Sequence, residues 1–223
     1  MDLQRGGYPD PGVAVGTASR VAPAVIVLNG GSSAGKSVLA VALQEALPEA
    51  WLRLSVDTLI RAMPPWMTSG GPGISFGADG EVGLGAEFTR LELAWMRGVA
   101  AIARAGAPVI VEDGFLSGPV AQERWRSALE QLPVLWVGVR CDAEVAAERE
   151  RARGDRGLGM ARRQAESVHR GIAYDLEVDM THATPTQAAE VVVAAVRDRG
   201  MEKVGRQCAG PAKSSTPSAT TTQ

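Results

Sequence analysis

The run Ala24-Val25-Ile26-Val27-Leu28-Asn29 leads directly into Gly30-Gly31-Ser32-Ser33-Ala34-Gly35-Lys36-Ser37, and a helical pattern follows from Ser37 to Leu47. Strand, glycine loop, helix is the order that constrains this chain most. Two glycines, a lysine and a hydroxyl at this spacing match the phosphate-binding loop, and the flanking elements supply the context the pattern requires. A polyphosphate must come close to backbone N–H groups, so the loop has to lack bulky side chains. The helix N-terminus adds free donors and partial positive charge. Lys36 is placed to reach the β- and γ-phosphates of ATP, and the Ser37 hydroxyl to ligate Mg²⁺. Lys36 is also the only lysine before Lys203 in a chain that otherwise uses arginine there. The competing reading, a glycine-rich turn with an incidental lysine, leaves the flanking strand and helix unexplained.

The rest of the chain repeats that alternation. Strand-like runs occur at 24–29, 51–56, 108–111, 134–139 and 176–178, with helical patterns between them. This predicts an α/β fold with a parallel sheet flanked by helices. Phe88, Leu91, Trp95, Val99 and Ile102 follow helical spacing, as do Ala188, Val191, Val192, Ala195 and Val196. Between Met63 and Glu87 the pattern breaks at Pro64-Pro65, Gly70-Gly71-Pro72 and Ala78-Asp79-Gly80. There Ile74–Phe76 and Glu81–Leu84 can pair as a small hairpin, and the insertion is either an acceptor pocket with Trp66 near the ligand or an ordinary surface loop. The expected domain is 22–203, with an extension at 1–21 and a Ser/Thr/Pro/Gly-rich tail at 204–223 expected to be disordered.

Composition narrows the function. With a net charge of −2, a nucleic-acid partner has no electrostatic support. The sequence has neither a membrane-spanning apolar run nor a signal-peptide core, so a cytoplasmic protein is the expectation. Two cysteines and two histidines offer neither a disulfide framework nor a zinc-ligand spacing. His169 ends a helical stretch, where its charge would suit the helix dipole. Oligomeric state is left open, a homo-oligomer included.

In an open parallel sheet the ligand lies beyond the carboxyl ends of the strands. Asp57 follows the second strand, and Glu112 and Asp113 follow the third. Asp57, just before the insertion, is expected to be the general base for an acceptor hydroxyl, against the alternative that it caps the next helix. Asp113 is the candidate acid near Mg²⁺, against a turn role before Gly114. Arg153 and Arg156 flank glycines and suit a lid that closes over phosphates and excludes water. Arg149 and Arg151, interleaved with Glu148 and Glu150, read as a solvated helix face.

These residues resemble a known family. Asn29–Ser37, Val56-Asp57-Thr58-Leu59-Ile60, Ala121-Gln122-Glu123-Arg124-Trp125-Arg126-Ser127, Leu135-Trp136-Val137-Gly138-Val139-Arg140-Cys141-Asp142, Ala152–Arg156 and Tyr174-Asp175-Leu176-Glu177-Val178-Asp179 are similar to the chloramphenicol phosphotransferases, in register over 24–182. The phosphate loop is shared by many families; the tryptophan-containing segments are more specific. The resemblance implies a P-loop kinase fold like that of the nucleoside monophosphate kinases, with a five-stranded parallel sheet. It implies transfer of the γ-phosphoryl group of ATP to the primary 3-hydroxyl of chloramphenicol, inactivating the antibiotic. It also implies a base at Asp57 and lid arginines at Arg153 and Arg156. The chain departs from the family at Glu112, where an aspartate pair is usual, in the segment Pro65–Gly71, and in its N-terminal extension. A same-fold kinase for another small alcohol and a nucleotide-binding protein of the zeta-toxin type are the alternatives.

Overall fold

The computed structural model describes residues 22–77, 80–154 and 159–208, with backbone alone from 200 onward. Its strands are β1 (Val25–Asn29), β2 (Leu52–Ser55), β3 (Ile74–Phe76), β4 (Val82–Leu84), β5 (Val109–Asp113), β6 (Val134–Arg140) and β7 (Leu176–Asp179). Its helices are α1 (Lys36–Ala46), α2 (Val56–Ala62), α3 (Ala86–Arg104), α4 (Pro119–Ala128), α5 (Ala143–Arg153), α6 (Met160–Ser167) and α7 (Pro185–Cys208). The expected N-terminal extension and residues 209–223 lie outside the described residues, and α7 continues past position 203.

Five strands form one parallel sheet in the order β2-β5-β1-β6-β7. β1 is central and buried along its whole length. Its side chains alternate between two cores. Ile26 and Leu28 pack with Leu39 and Leu43 of α1 and Val192 of α7. Val25 and Val27 pack with Met96 and Val99 of α3 and Trp125 of α4. Burial on both faces explains why the central strands read as unbroken apolar runs. Fully burying each such Val, Ile or Leu stabilises the fold by about 1.5–3 kcal/mol. Because chain connections diverge to either side of β1, its carboxyl end opens at a switch point where ligands bind in such sheets. Among the described residues no helix is long and apolar enough to cross a membrane.

The irregular region after β2 has its own small core. β3 and β4 pair antiparallel, Ile74 opposite Leu84 and Phe76 opposite Val82. Leu59, Met63, Met67, Ile74 and Phe88 cluster beneath them. The hairpin is therefore present, although Ala78 and Asp79 of its turn lie outside the described residues. Gly80, at φ +76°, touches the start of α6: a Cβ there would overlap the backbone of Met160.

Two boundaries differ from expectation, and both move functional residues. α2 starts at Val56 and is capped by Ser55, whose Oγ accepts from Thr58 N at 3.2 Å. Asp57 is thus inside the first turn and is not the cap. β5 continues through Glu112 and Asp113. Successive side chains in a strand point to opposite faces, so these neighbouring acids pack against different layers, although both border the same cavity.

Candidate active site

The loop after β1 places Gly35 at φ 98°, a left-handed conformation that glycine adopts without a Cβ penalty. That turn brings Lys36 into α1 and directs its side chain back across the loop. Lys36 Nζ donates to the carbonyls of Gly30 at 2.6 Å and Gly31 at 2.8 Å. Ser32, Ser33, Ala34, Gly35, Lys36 and Ser37 line a cavity of about 850 Å³, with Gly30 and Gly31 behind them.

The strand ends supply the acids. On the α1 face of β5, Glu112 Oε2 accepts a 2.6 Å hydrogen bond from Ser37 Oγ. Asp113, on the other face, is fully occupied. Its Oδ1 accepts from the N–H groups of Gly114 at 2.6 Å and Phe115 at 3.2 Å, and its Oδ2 from Trp125 Nε1 at 2.6 Å. Burial pushes the Asp113 carboxyl above its ordinary range despite these bonds. Strand alternation places Glu112 against Ser37, while Asp113, which also borders the cavity, bonds Trp125 of α4. A serine hydroxyl and a carboxylate are hard oxygen donors, so Ser37 and Glu112 fit Mg²⁺.

Asp57 lines the same cavity from α2, opposite the loop. Ile60, Ile74, Phe76, Val82, Leu84 and Phe88 form an apolar wall around it. The insertion thus contributes its hairpin to the cavity. Trp66 does not line it and is exposed.

The arginine side of the cavity is built from α5 and α6. Arg149, Ala152 and Arg153 border the cavity. Arg149 is partly buried rather than solvated: it donates to Met180 O at 2.9 Å and to Cys141 Sγ at 3.3 Å. Arg149 and Arg153 are four residues apart and so share a helix face, the signal that should have paired them. Glu150 is buried and accepts from Gly159 N and Ala161 N, both at 2.8 Å. It caps α6 from α5 and ties the two helices together. Gln164 of α6 accepts from the loop N–H of Ser32 at 2.8 Å. Arg156 lies outside the described residues.

Two buried polar groups were not anticipated. Glu92 is an acid within the buried stripe Phe88, Glu92, Met96, Val99 of α3, visible in the sequence as a charge at apolar spacing. Arg124 Nη1 lies 3.2 Å from its Oε2. Burial, aided by Asp113, outweighs that guanidinium and raises the Glu92 carboxyl to about 7. His169 is also buried, its Nδ1 2.7 Å from the Tyr174 hydroxyl, which accepts from Asn29 Nδ2 at 2.5 Å. Burial and the positive charge of Arg140 lower the His169 ring to about 4. It is neutral near pH 7, contrary to the charged helix-end role expected from sequence.

The model of the chloramphenicol phosphotransferase-like proteins matches residues 23–197. The chain belongs to this family. As a member it is a small-molecule phosphotransferase of P-loop kinase fold. A protein of Mycobacterium tuberculosis, bearing the name "Putative O-phosphotransferase" in each of two strains, is 34% identical over 179 residues, covering 72% of this chain and 76% of its own. Among solved structures, a gluconokinase from Sinorhizobium meliloti 1021 superposes with a TM-score of 0.58 at 19% identity, covering 82% of this chain and 97% of its own. A sugar kinase from Janibacter sp. HTCC2649 gives 0.57 at 16% identity over 76% and 92%. The tunicamycin resistance protein of Deinococcus radiodurans gives 0.55 at 21% identity over 78% and 95%. These three share the fold.

Proposed function

We propose that this phosphotransferase moves the γ-phosphoryl group of ATP to the primary 3-hydroxyl of chloramphenicol. The observation that carries the reading is the single cavity joining the phosphate loop to Asp57 through an apolar wall. That wall suits an aryl-bearing alcohol better than a highly hydrated polyol or carboxylate acceptor.

The loop N–H groups and Lys36 hold the triphosphate, with Lys36 exchanging its loop carbonyls for phosphate oxygens. Mg²⁺, held through Ser37 and Glu112, supplies charge neutralisation at the phosphates when bound. Asp57 orients the acceptor hydroxyl in line with the γ-phosphorus. The new bond forms between the acceptor oxygen and that phosphorus, the bond to the β,γ-bridging oxygen breaks, and ADP leaves. The hydroxyl proton passes to Asp57. In a loose transition state this transfer comes late, so orientation contributes more than basicity. Arg153, on the rim, and Arg156 offset the charge of the transferring group, and Arg149 fixes the lid root from which Arg153 projects.

The test is product mass after incubation with MgATP and chloramphenicol. A mono-phosphorylated product is expected, with kcat reduced about 100-fold or more in Asp57→Asn. Nucleotide binding without product would discard this acceptor, and unchanged turnover in the variant would remove Asp57 from the reaction.

A further inference from the structure

The cavity wall contains a further acid that the proposed phosphoryl transfer does not use. Glu92 forms part of the cavity wall although the residue is only 7% exposed. Its Oε2 faces Arg124 Nη1 at 3.2 Å. Its Oε1 has no hydrogen-bond partner among the described residues, yet it is not among the fully enclosed unpartnered atoms. A carboxylate serving only to anchor α4 to α3 would be satisfied on the Arg124 side and closed off on the other. An oxygen that opens on the cavity loses its water when an acceptor fills the space, and that loss is costly unless the acceptor supplies a donor. The hydrogen bonds of nearby Asp113 run to Gly114, Phe115 and Trp125 and none runs to Glu92.

We propose that Glu92 is a specificity-determining residue that accepts, through Oε1, a hydrogen bond from a second donor group of the acceptor. The acceptor class is then an alcohol with an apolar body, a hydroxyl for Asp57 and a further hydroxyl or amide N–H for Glu92. A simple mono-alcohol fills the apolar wall but leaves Glu92 unsatisfied. A site built to bond a substrate hydroxyl rejects the analogue lacking it more strongly than an apolar pocket rejects a missing methylene. This inference deepens the proposed function and rests on the cavity's being its acceptor site.

The experiment compares kcat/KM for matched acceptors with and without the second donor: chloramphenicol against its 1-deoxy analogue, and other aryl amino-diols against their deoxy forms. It uses the full chain, Glu92→Met and Glu92→Gln. The wild type is expected to prefer the complete acceptor by roughly 10- to 100-fold. Glu92→Met should bring that ratio to within about threefold of unity, whereas Glu92→Gln, which keeps a carbonyl acceptor, should retain most of it. A structural role alone would slow both acceptors of a pair equally, and that result overturns the proposal. A wild-type ratio near one overturns it without any variant, so poor folding of Glu92→Met does not leave it undecided. Turnover of other aryl diols but not chloramphenicol would discard the named acceptor while the ratio still decides Glu92. Turnover confined to mono-alcohols overturns the Glu92 assignment.

Discussion

Adjacent acids in β5 have different tasks because one residue of strand alternation separates them. Glu112 sits on Ser37 at the phosphate loop, and Asp113 sits under Trp125 and the turn that follows β5. Glu112→Gln should therefore raise the Mg²⁺ concentration needed for half-maximal phosphoryl transfer roughly tenfold, the scale seen when a group orienting a metal ligand is lost. Asp113→Asn should leave that midpoint in place and lower stability by about 1–3 kcal/mol, since an amide donor would then face the Trp125 N–H or a backbone N–H. Magnesium titrations and urea unfolding of the two variants separate the roles; a shifted Mg²⁺ midpoint in Asp113→Asn alone would reverse the assignment. Sequence brought both residues to attention and favoured Asp113 as the acid near Mg²⁺. The choice depended on where the strand ended, and the apolar run stops before the strand does.

The hairpin after β2 and the helix pair α5 and α6 were legible as elements, and their fastening was not. Strand runs and the glycines between α5 and α6 announced the sheet and the break between those two helices. The bonds between those two helices come from Glu150, which the interleaved charges made look solvated. Its two oxygens hold Gly159 N and Ala161 N, beside the place where Gly80 of the hairpin meets Met160. One carboxylate thus joins α5 to the start of α6, where Gly80 of the hairpin packs. Glu150→Gln turns one of its acceptors into a donor facing an N–H. The lid root should loosen, phosphorylated product should fall roughly tenfold, and the share of ATP hydrolysed to water should rise, as expected when closure no longer excludes solvent. Measuring ADP release and product in the same reaction checks this. If both fall in proportion, Glu150 supports the fold without governing closure.

For the whole molecule, the phosphate loop is anchored to a buried polar layer between β1, β7 and the end of α6, and that layer gives stability a pH dependence. The pattern of apolar runs predicted the sheet, but nothing in the sequence near His169 shows that Asn29 and Tyr174 close around it from more than a hundred residues away or from the next turn. In the folded state His169 stays neutral down to about 4, whereas the unfolded chain takes up its proton near 6.5. Between those values the unfolded state binds more protons, so the His169 contribution is full above pH 6.5 and is lost as pH falls toward 4. Glu92 acts in the opposite sense. Its folded carboxyl keeps a proton up to about 7 while the unfolded one ionises near 4.5, so stability from this group declines as pH rises through that window. The wild type should accordingly show a flatter acid limb than either group alone would give. His169→Gln should be less stable than wild type at pH 7.5, through loss of the Tyr174 bond, and the gap should narrow steadily as pH falls from 6.5 to 4 because only the wild type resists protonation there. Urea unfolding of both proteins across that range measures the gap directly. A constant gap would mean that His169 titrates in the folded protein as it does in the unfolded chain, and that the layer beneath the phosphate loop is open to water.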